Sequence, residues 1–248
     1  MATGELHWRR ETPKKMMPNE IHVWRASLDL SNSKRENLLG LLSDEELMRV
    51  GRFHFVKDQY RYITARGILR KILGSYLGER PQKLRFEYTA KGKPILAQFS
   101  GYGSFHFNLS HSDTQAIYAF SAAHNIGVDI ERIRDGIEIE QIAYKYFSQK
   151  EIKTLINTQP GKRTELFFQY WTRKEAYLKA KGEGISAAMG SIDVSSLDGK
   201  ILTQVKLADN GKKNECWLVQ DLFPGKNYAA AIAFEGGVKD LSYWHYLD

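Results

Sequence analysis

The 248 residues include 42% hydrophobic and 26% charged side chains, ordinary proportions for a chain that can bury a full core as one large domain or two small ones without covalent staples. Thirty-six Lys and Arg against 29 Asp and Glu give +7 and a pI near 9.3, which favours anionic partners but leaves a phosphorylated cofactor, an acidic protein and nucleic acid equally open. Cys216 is the only cysteine, excluding an intrachain disulfide and a Cys-based zinc site; there is no signal-peptide pattern and no apolar run near the ~18 residues of a membrane span, so a reducing cytoplasm is expected, with no membrane partner.

Residues 1–20, with Arg9, Arg10, Lys14, Lys15 and two prolines, read as a loosely held arm. A strand is expected from Ile21 to Leu30. Ser43-Asp44-Glu45-Glu46 is a capping box before Leu47, Val50 and Phe53, so a helix begins near Asp44. A second helix is expected from about Asp58 to Leu77, on the stripe Tyr62, Leu69, Ile72, Leu73 and Tyr76, with Gly78 near its end. Lys91-Gly92-Lys93-Pro94 is a turn. Phe105, Phe107 and Leu109 alternate with His106, Asn108 and Ser110, and Ala116 to Phe120 and Gly127 to Glu131 follow as short apolar runs. Together the three predict a strand meander.

The pattern then restarts. Ser148-Gln149-Lys150-Glu151 is a second capping box, and Thr164 to Lys181 a second long helix. Tyr62-Ile63-Thr64 and Tyr170-Trp171-Thr172 occupy matching points, each ten residues before a glycine, Gly74 or Gly182. A duplicated unit is implied. In this register Gly67 stands opposite Glu175, so the first copy lacks an acid that the second supplies and one metal site is expected. Ser191 to Val194, Ile201 to Leu207, Cys216 to Leu222 and Tyr228 to Phe234 read as further strands. The expected architecture is α+β, with two similar sheet-and-helix halves, residues 21–126 and 127–248.

The chemistry concentrates in two stretches. In Gly127-Val128-Asp129-Ile130-Glu131 the acids are two apart, so on a strand both leave one face while Val128 and Ile130 take the other. In the stretch Trp171 to Lys179, Glu175 and Lys179 are four apart on a helix and share a stripe. Three oxygen donors and an ammonium group converging would suit Mg²⁺, which is usually shared between a few carboxylates and substrate phosphates. Each element alone has a plainer reading. Asp-x-Glu occurs on any half-exposed strand, and Glu175 with Lys179 is also a surface pair worth ~0.3–0.5 kcal/mol.

Joint occurrence decides between these readings. Gly127 to Glu131, then Phe147-Ser148-Gln149-Lys150-Glu151, then Trp171-Thr172-Arg173-Lys174-Glu175-Ala176-Tyr177-Leu178-Lys179 resembles the signature of the 4′-phosphopantetheinyl transferases, specifically the larger Sfp-type members with two similar halves in one chain. The likeness extends upstream to Lys91-Gly92-Lys93-Pro94 and Asn108-Leu109-Ser110-His111, and covers roughly residues 45–182. It implies Mg²⁺-dependent transfer of the phosphopantetheine arm of coenzyme A to a serine of an apo acyl or peptidyl carrier protein, with release of adenosine 3′,5′-bisphosphate. Asp129, Glu131 and Glu175 would be the metal ligands, and Lys179 would meet a phosphate oxygen.

Glu175 is the candidate base for the serine proton, although a metal-bound carboxylate is less basic, and a metal-bound water working with Glu131 or Asp129 is the other route. His111, in Ser110-His111-Ser112-Asp113, cannot form a triad with its own neighbours. It is either an exposed turn residue or, by the resemblance, a contact to a coenzyme A phosphate with Ser110 and Asn108 nearby. Lys91 and Lys93 would likewise meet nucleotide phosphates. Arg49, in preference to Arg52, and Arg61 complete the expected coenzyme A cations, while Arg61 and Arg66 also fit a solvated helix face. An acidic carrier would meet residues 132–147, with Ile133, Ile137, Tyr144 and Phe147 as contacts or as core. The two-halved chain implies a monomer. Two rivals remain: a metal-dependent phosphohydrolase using the same carboxylates, and a basic nucleic-acid-binding module, disfavoured because the cations form no block and the aromatic residues no stacking platform.

Overall fold

The computed structural model of the chain describes residues 6–10, 16–97, 105–185, 187–195, 202–207, 216–236, 238 and 240–247. The first part contains β1 (Glu20–Ser27), α1 (Asn32–Leu39), α2 (Asp44–Val50), α3 (Val56–Leu77), a small hairpin β2 (Phe86–Tyr88) and β3 (Pro94–Leu96), and a longer one, β4 (His106–Ser112) and β5 (Gln115–Ser121). Next come β6 (Ile126–Arg132), α4 (Ile139–Tyr146), α5 (Gln149–Asn157) and α6 (Pro160–Lys181). The chain finishes with β7 (Ile192–Asp193), β8 (Leu202–Gln204), β9 (Lys206–Leu207), β10 (Trp217–Leu222), β11 (Tyr228–Glu235) and β12 (Asp240–His245). No helix among the described residues is long and apolar enough to cross a membrane.

Two four-stranded sheets, ordered β12-β1-β5-β4 and β6-β11-β10-β8, stack with a helical layer outside each. Side-chain alternation builds this arrangement. On β1 and β5, Ile21, Val23, Ile117 and Ala119 face the other sheet and meet Val128, Ile130, Ala230 and Ile232. The intervening Trp24, Ala26, Ala116, Tyr118 and Phe120 pack with Ile68, Leu69 and Leu73 of α3. In the second half, Ala229, Ala231 and Ala233 of β11 lie in the cluster formed with α6. These short side chains let the helix approach closely.

The duplication is visible in buried charge. Both predicted capping boxes form, Ser43 with Glu46 and Ser148 with Glu151. Each cap glutamate is buried and accepts a cation from the long helix of its own half. Glu46 holds Arg70 at 2.7 Å and Arg66 at 3.1 Å, and Glu151 holds Lys174 at 2.9 Å with both side chains fully buried. Arg66 and Lys174 correspond when Thr64 is aligned with Thr172. Burial lowers the Lys174 pKa, which the charge of Glu151 opposes. A pair this deep is costly to break, because the abandoned partner has no water to turn to.

Several boundaries differ from the sequence reading. α3 starts at Val56 and α6 at Pro160, where a proline suits the first helical turn. α1, α4 and β12 were not anticipated; α1 buries only Leu38, too little apolar periodicity to announce a helix, whereas α4 carries an overlooked signal, Ile139, Ile142, Ala143 and Tyr146 at helical spacing on the core. The meander is corrected too: β4 and β5 pair, but β6 pairs with β11 in the other sheet. Gly127 explains the change of partner. A Cβ there would collide with the backbone of Ala176 and Ala180 and lie 2.9 Å from the carbonyl carbon of Lys179, so glycine lets β6 press directly against α6. β12 pairs in parallel with β1 and so lies in the first sheet. Residues 6–10, expected in a loose arm, are hydrogen bonded to it through Arg9 N to Tyr243 O at 2.9 Å and His245 N to Arg9 O at 2.7 Å.

Candidate active site

β4 and β6 meet where the two sheets adjoin, and side chains of β4 bind β6 across the gap. Val128 N donates to Asn108 Oδ1 at 2.8 Å, Ser110 Oγ to Asp129 Oδ1 at 2.9 Å, and Ser112 Oγ to Glu131 Oε2 at 2.9 Å. Three alternate residues of one strand thus hold the backbone and both acids of the other. Asp129 and Glu131 share the face turned to α6, with Val128 and Ile130 in the inter-sheet core.

α6 brings Glu175 and Lys179 to the same place. Lys179 Nζ donates to Asp129 Oδ1 at 2.6 Å and to Ser110 Oγ at 3.0 Å. Glu175 is pushed up to about pH 7, first by burial and then by the negative charge of Asp129, with Lys179 opposing and Glu131 adding to the rise. Burial, followed by Asp129, also raises Glu131, while the Ser112 hydrogen bond lowers it. The three carboxyl groups therefore sense one another. Asp129 Oδ2 and Glu175 Oε1 are buried without a hydrogen-bond partner among the described residues, an expensive arrangement unless a cation takes those oxygens.

That donor set fits Mg²⁺: hard oxygens only, two of them unsatisfied, on neighbouring rigid elements. Among the described residues no three or more His, Cys, Asp or Glu side chains are gathered closely enough to hold a metal ion as they stand. Lys179 Nζ engages Asp129 Oδ1 at 2.6 Å, and an ion that keeps several waters and shares substrate oxygens needs few protein ligands.

Beside the carboxylates lies a cleft of about 390 Å³ lined by Arg49, Phe53, Tyr62, Arg66, Tyr88, Ser110, His111 and Lys179 among others. A smaller recess of about 230 Å³ follows, bounded by Lys91, Lys93, Asn108, Lys179 and Gly182. Arg49, Lys91, Asn108, Ser110, His111 and Lys179 are thus gathered around connected space. His111 is solvent-accessible within the cleft, and its pKa is lowered, first by desolvation and then by Lys179 and Arg61. A neutral ring acts there as a hydrogen-bonding group.

Two expected cations have partners within the protein. Lys93 Nζ donates to the carbonyls of Lys179 at 2.7 Å and Ile126 at 3.2 Å, fastening the β2–β3 hairpin to the C-terminal end of α6. The carbonyls there carry negative partial charge. Burial, then Lys179, lowers Lys93 to about 8. Arg61 binds Asp113 and, at 3.6 Å, Asp58; Asp113 also holds Arg132 at 2.5 Å. Arg61 does not line the cleft.

Sequence reasoning missed Arg66 and Asp113. Arg66, expected on a solvated face, is 4% exposed, with Tyr88 Oη accepting from its guanidinium at 2.6 Å. The available signal was a cation at helical spacing within the apolar stripe Tyr62, Arg66, Leu69, Leu73. Of the expected carrier contacts, Phe147 is core, Ile133 and Ile137 pack partly buried against it, and Tyr144 is exposed. In the first half, Gly67 stands where α6 has Glu175. A Cβ on it would lie 2.6 Å from Leu38 Cβ, so α1 fills the space a second carboxylate would need.

Comparison with known proteins agrees with this geometry. Residues 125–233 match the family described as the 4′-phosphopantetheinyl transferase superfamily, and residues 27–124 the one described as 4′-phosphopantetheinyl transferase, N-terminal. The chain is 37% identical over 231 residues, 93% of its length and 94% of the relative's, to the 4′-phosphopantetheinyl transferase HetI of Nostoc. It is 35% identical to a 4′-phosphopantetheinyl transferase of Bacillus pumilus, covering 66% and 69% of the two chains. With the 4′-phosphopantetheinyl transferase Sfp of Bacillus subtilis it shares 27% identity, covering 86% and 92%.

Proposed function

Because the chain belongs to the 4′-phosphopantetheinyl transferase superfamily, and so is an enzyme that places phosphopantetheine on carrier proteins, we propose that Asp129, Glu131, Glu175 and Lys179 form its reaction centre, with coenzyme A as donor and Mg²⁺ as the metal. One observation carries this reading. Among the described residues two buried carboxylate oxygens, Asp129 Oδ2 and Glu175 Oε1, lack partners, and Asp129 is bonded to Ser110 and Lys179 of a cleft also lined by Arg49 and His111.

In the reaction the serine Oγ of the carrier bonds to the phosphorus next to the pantetheine arm, the P–O bond to the second phosphate breaks, and adenosine 3′,5′-bisphosphate leaves. Bound Mg²⁺ supplies charge neutralisation on the diphosphate and its leaving group. The protein's contribution is position and charge. Ser110 and Ser112 fix the two strand acids, and Lys179 can pass from Asp129 to a phosphate oxygen because its ammonium group already reaches both parts of the cleft. Arg49 and Lys91 supply positive charge along the nucleotide's path, and His111 a hydrogen bond. Glu175 is the group that receives the serine proton, although bound Mg²⁺ would lower its basicity from the metal-free state, in which burial and Asp129 raise its pKa to about 7. Holding the serine in line with the breaking bond removes entropy from the barrier. A monomer acting in the cytoplasm completes the reading.

Mass spectrometry tests it. Incubation with coenzyme A, Mg²⁺ and an apo acyl carrier protein should add one phosphopantetheine to the carrier, and Glu175→Gln should abolish the gain while the protein stays folded. Cleavage of coenzyme A with an unmodified carrier would show a phosphohydrolase instead.

A further inference from the structure

Phe55, Val56 and Tyr60, at the start of α3, are 58%, 54% and 41% exposed. Val56 and Tyr60 are four apart and share a helix face, with Phe55 at the N-cap position beside them. Cations edge these side chains. Lys57 Nζ lies 5.5 Å from the Phe55 ring centre and the Arg35 guanidinium 3.8 Å from that of Tyr60. Among the described residues neither Lys57 nor Arg35 forms an ion pair with an acid; Asp58, the acid on this turn, is held by Arg61. Exposed apolar side chains grouped in this way, rather than scattered singly, mark an interaction surface.

Its position identifies the occupant. Arg61, next in sequence to Tyr60, grips Asp113 in the β4–β5 turn, and Asp113 grips Arg132 at the end of β6, one residue beyond Glu131. Two ion pairs therefore join the foot of α3 to the mouth of the reaction centre. Residues 132–147 begin at Arg132, one end of this linkage, and the apolar surface on α3 adjoins Arg61, the other end. The geometry points to the foot of α3 as a second docking bank for the carrier protein, contributed by the first half, which receives an apolar segment edged by acidic side chains while the serine enters between the halves. This inference rests on the transferase reading above. The chemistry of the surface, apolar with unneutralised cations, selects an acidic partner and adds rate through long-range attraction.

Kinetics of the full chain with a negatively charged apo acyl carrier protein test it. The double variant Phe55→Ser, Val56→Asp should raise the carrier KM by about tenfold or more, as expected for loss of central apolar contacts. Its kcat and coenzyme A KM should stay within about twofold. Lys57→Glu should raise the carrier KM and flatten its dependence on salt. An unchanged carrier KM in both variants, while the wild-type protein modifies the carrier, overturns the inference and leaves the transferase reading intact. A wild-type protein that never modifies a carrier overturns both. Should the wild-type protein sediment as a dimer that Phe55→Ser, Val56→Asp dissociates without altering the carrier KM, the surface is a contact between copies of the chain and the inference fails.

Discussion

Replacing Glu175 by Gln in the metal-free protein should stabilise it, by an amount set by pH. Burial and the neighbouring Asp129 carry the Glu175 pKa from 4.5 to about 7, so the folded state holds the proton more tightly than the unfolded one. For a raised carboxyl pKa the stability is fully present below 4.5 and is lost as pH rises through about 7. At about 1.4 kcal/mol per pH unit the full interval amounts to about 3 kcal/mol. Glutamine has the same shape and no charge to bury, so near pH 8.5 in EDTA the variant should resist urea by up to about 3 kcal/mol more than the wild type, and the two should converge near pH 4.5. Magnesium should then stabilise the wild type more than the variant, because it binds the folded carboxylates and not the unfolded chain. Equal urea midpoints at the higher pH, or a more stable wild type without metal, would refute the argument that Glu175 is a charge under strain.

Gly127→Ala should force α6 off β6, costing about 3 kcal/mol or preventing folding, and should inactivate whatever folds; thermal denaturation and carrier labelling check both. Glu151→Ala removes the carboxylate partner of the buried Lys174 ammonium and the acceptor of Val194 N, and should cost about 3–5 kcal/mol by urea titration. Asn108→Ala should cost about 1–3 kcal/mol, because Val128 N loses its partner in a buried place; proton exchange at that amide should accelerate relative to its neighbours.

The sequence made one kind of information legible and hid another. Alternation around Asp129 and Glu131, the four-residue step from Glu175 to Lys179, both capping boxes and the glycine that ends α6 at φ 74° are local patterns, and local geometry follows from them. Where a strand finds its partner is decided by surfaces far along the chain. Hence β6 joins β11 across about a hundred residues, and Lys93, expected to meet phosphates, bonds the carbonyls of Lys179 at the end of α6 and of Ile126 at the start of β6. Arg61 and Asp113 meet only because the β4–β5 turn reaches the foot of α3. Of the site, the acids, their strands and the cations Arg49, Lys91 and Lys179 were readable; that Arg66 lines the cleft while Arg61 binds Asp113 was not.

The parallel pairing of β12 with β1, with residues 6–10 laid against β12 in turn, bears on how the polypeptide matures on the ribosome. Domains ordinarily condense in order of synthesis, yet here β1 must wait for β12, more than two hundred residues further along the chain. Until residue 245 emerges, β1 has a bare hydrogen-bonding flank, a template on which a neighbouring nascent chain can aggregate. Premature termination shortly before β12 would therefore damage a sheet whose other three strands are translated well before it.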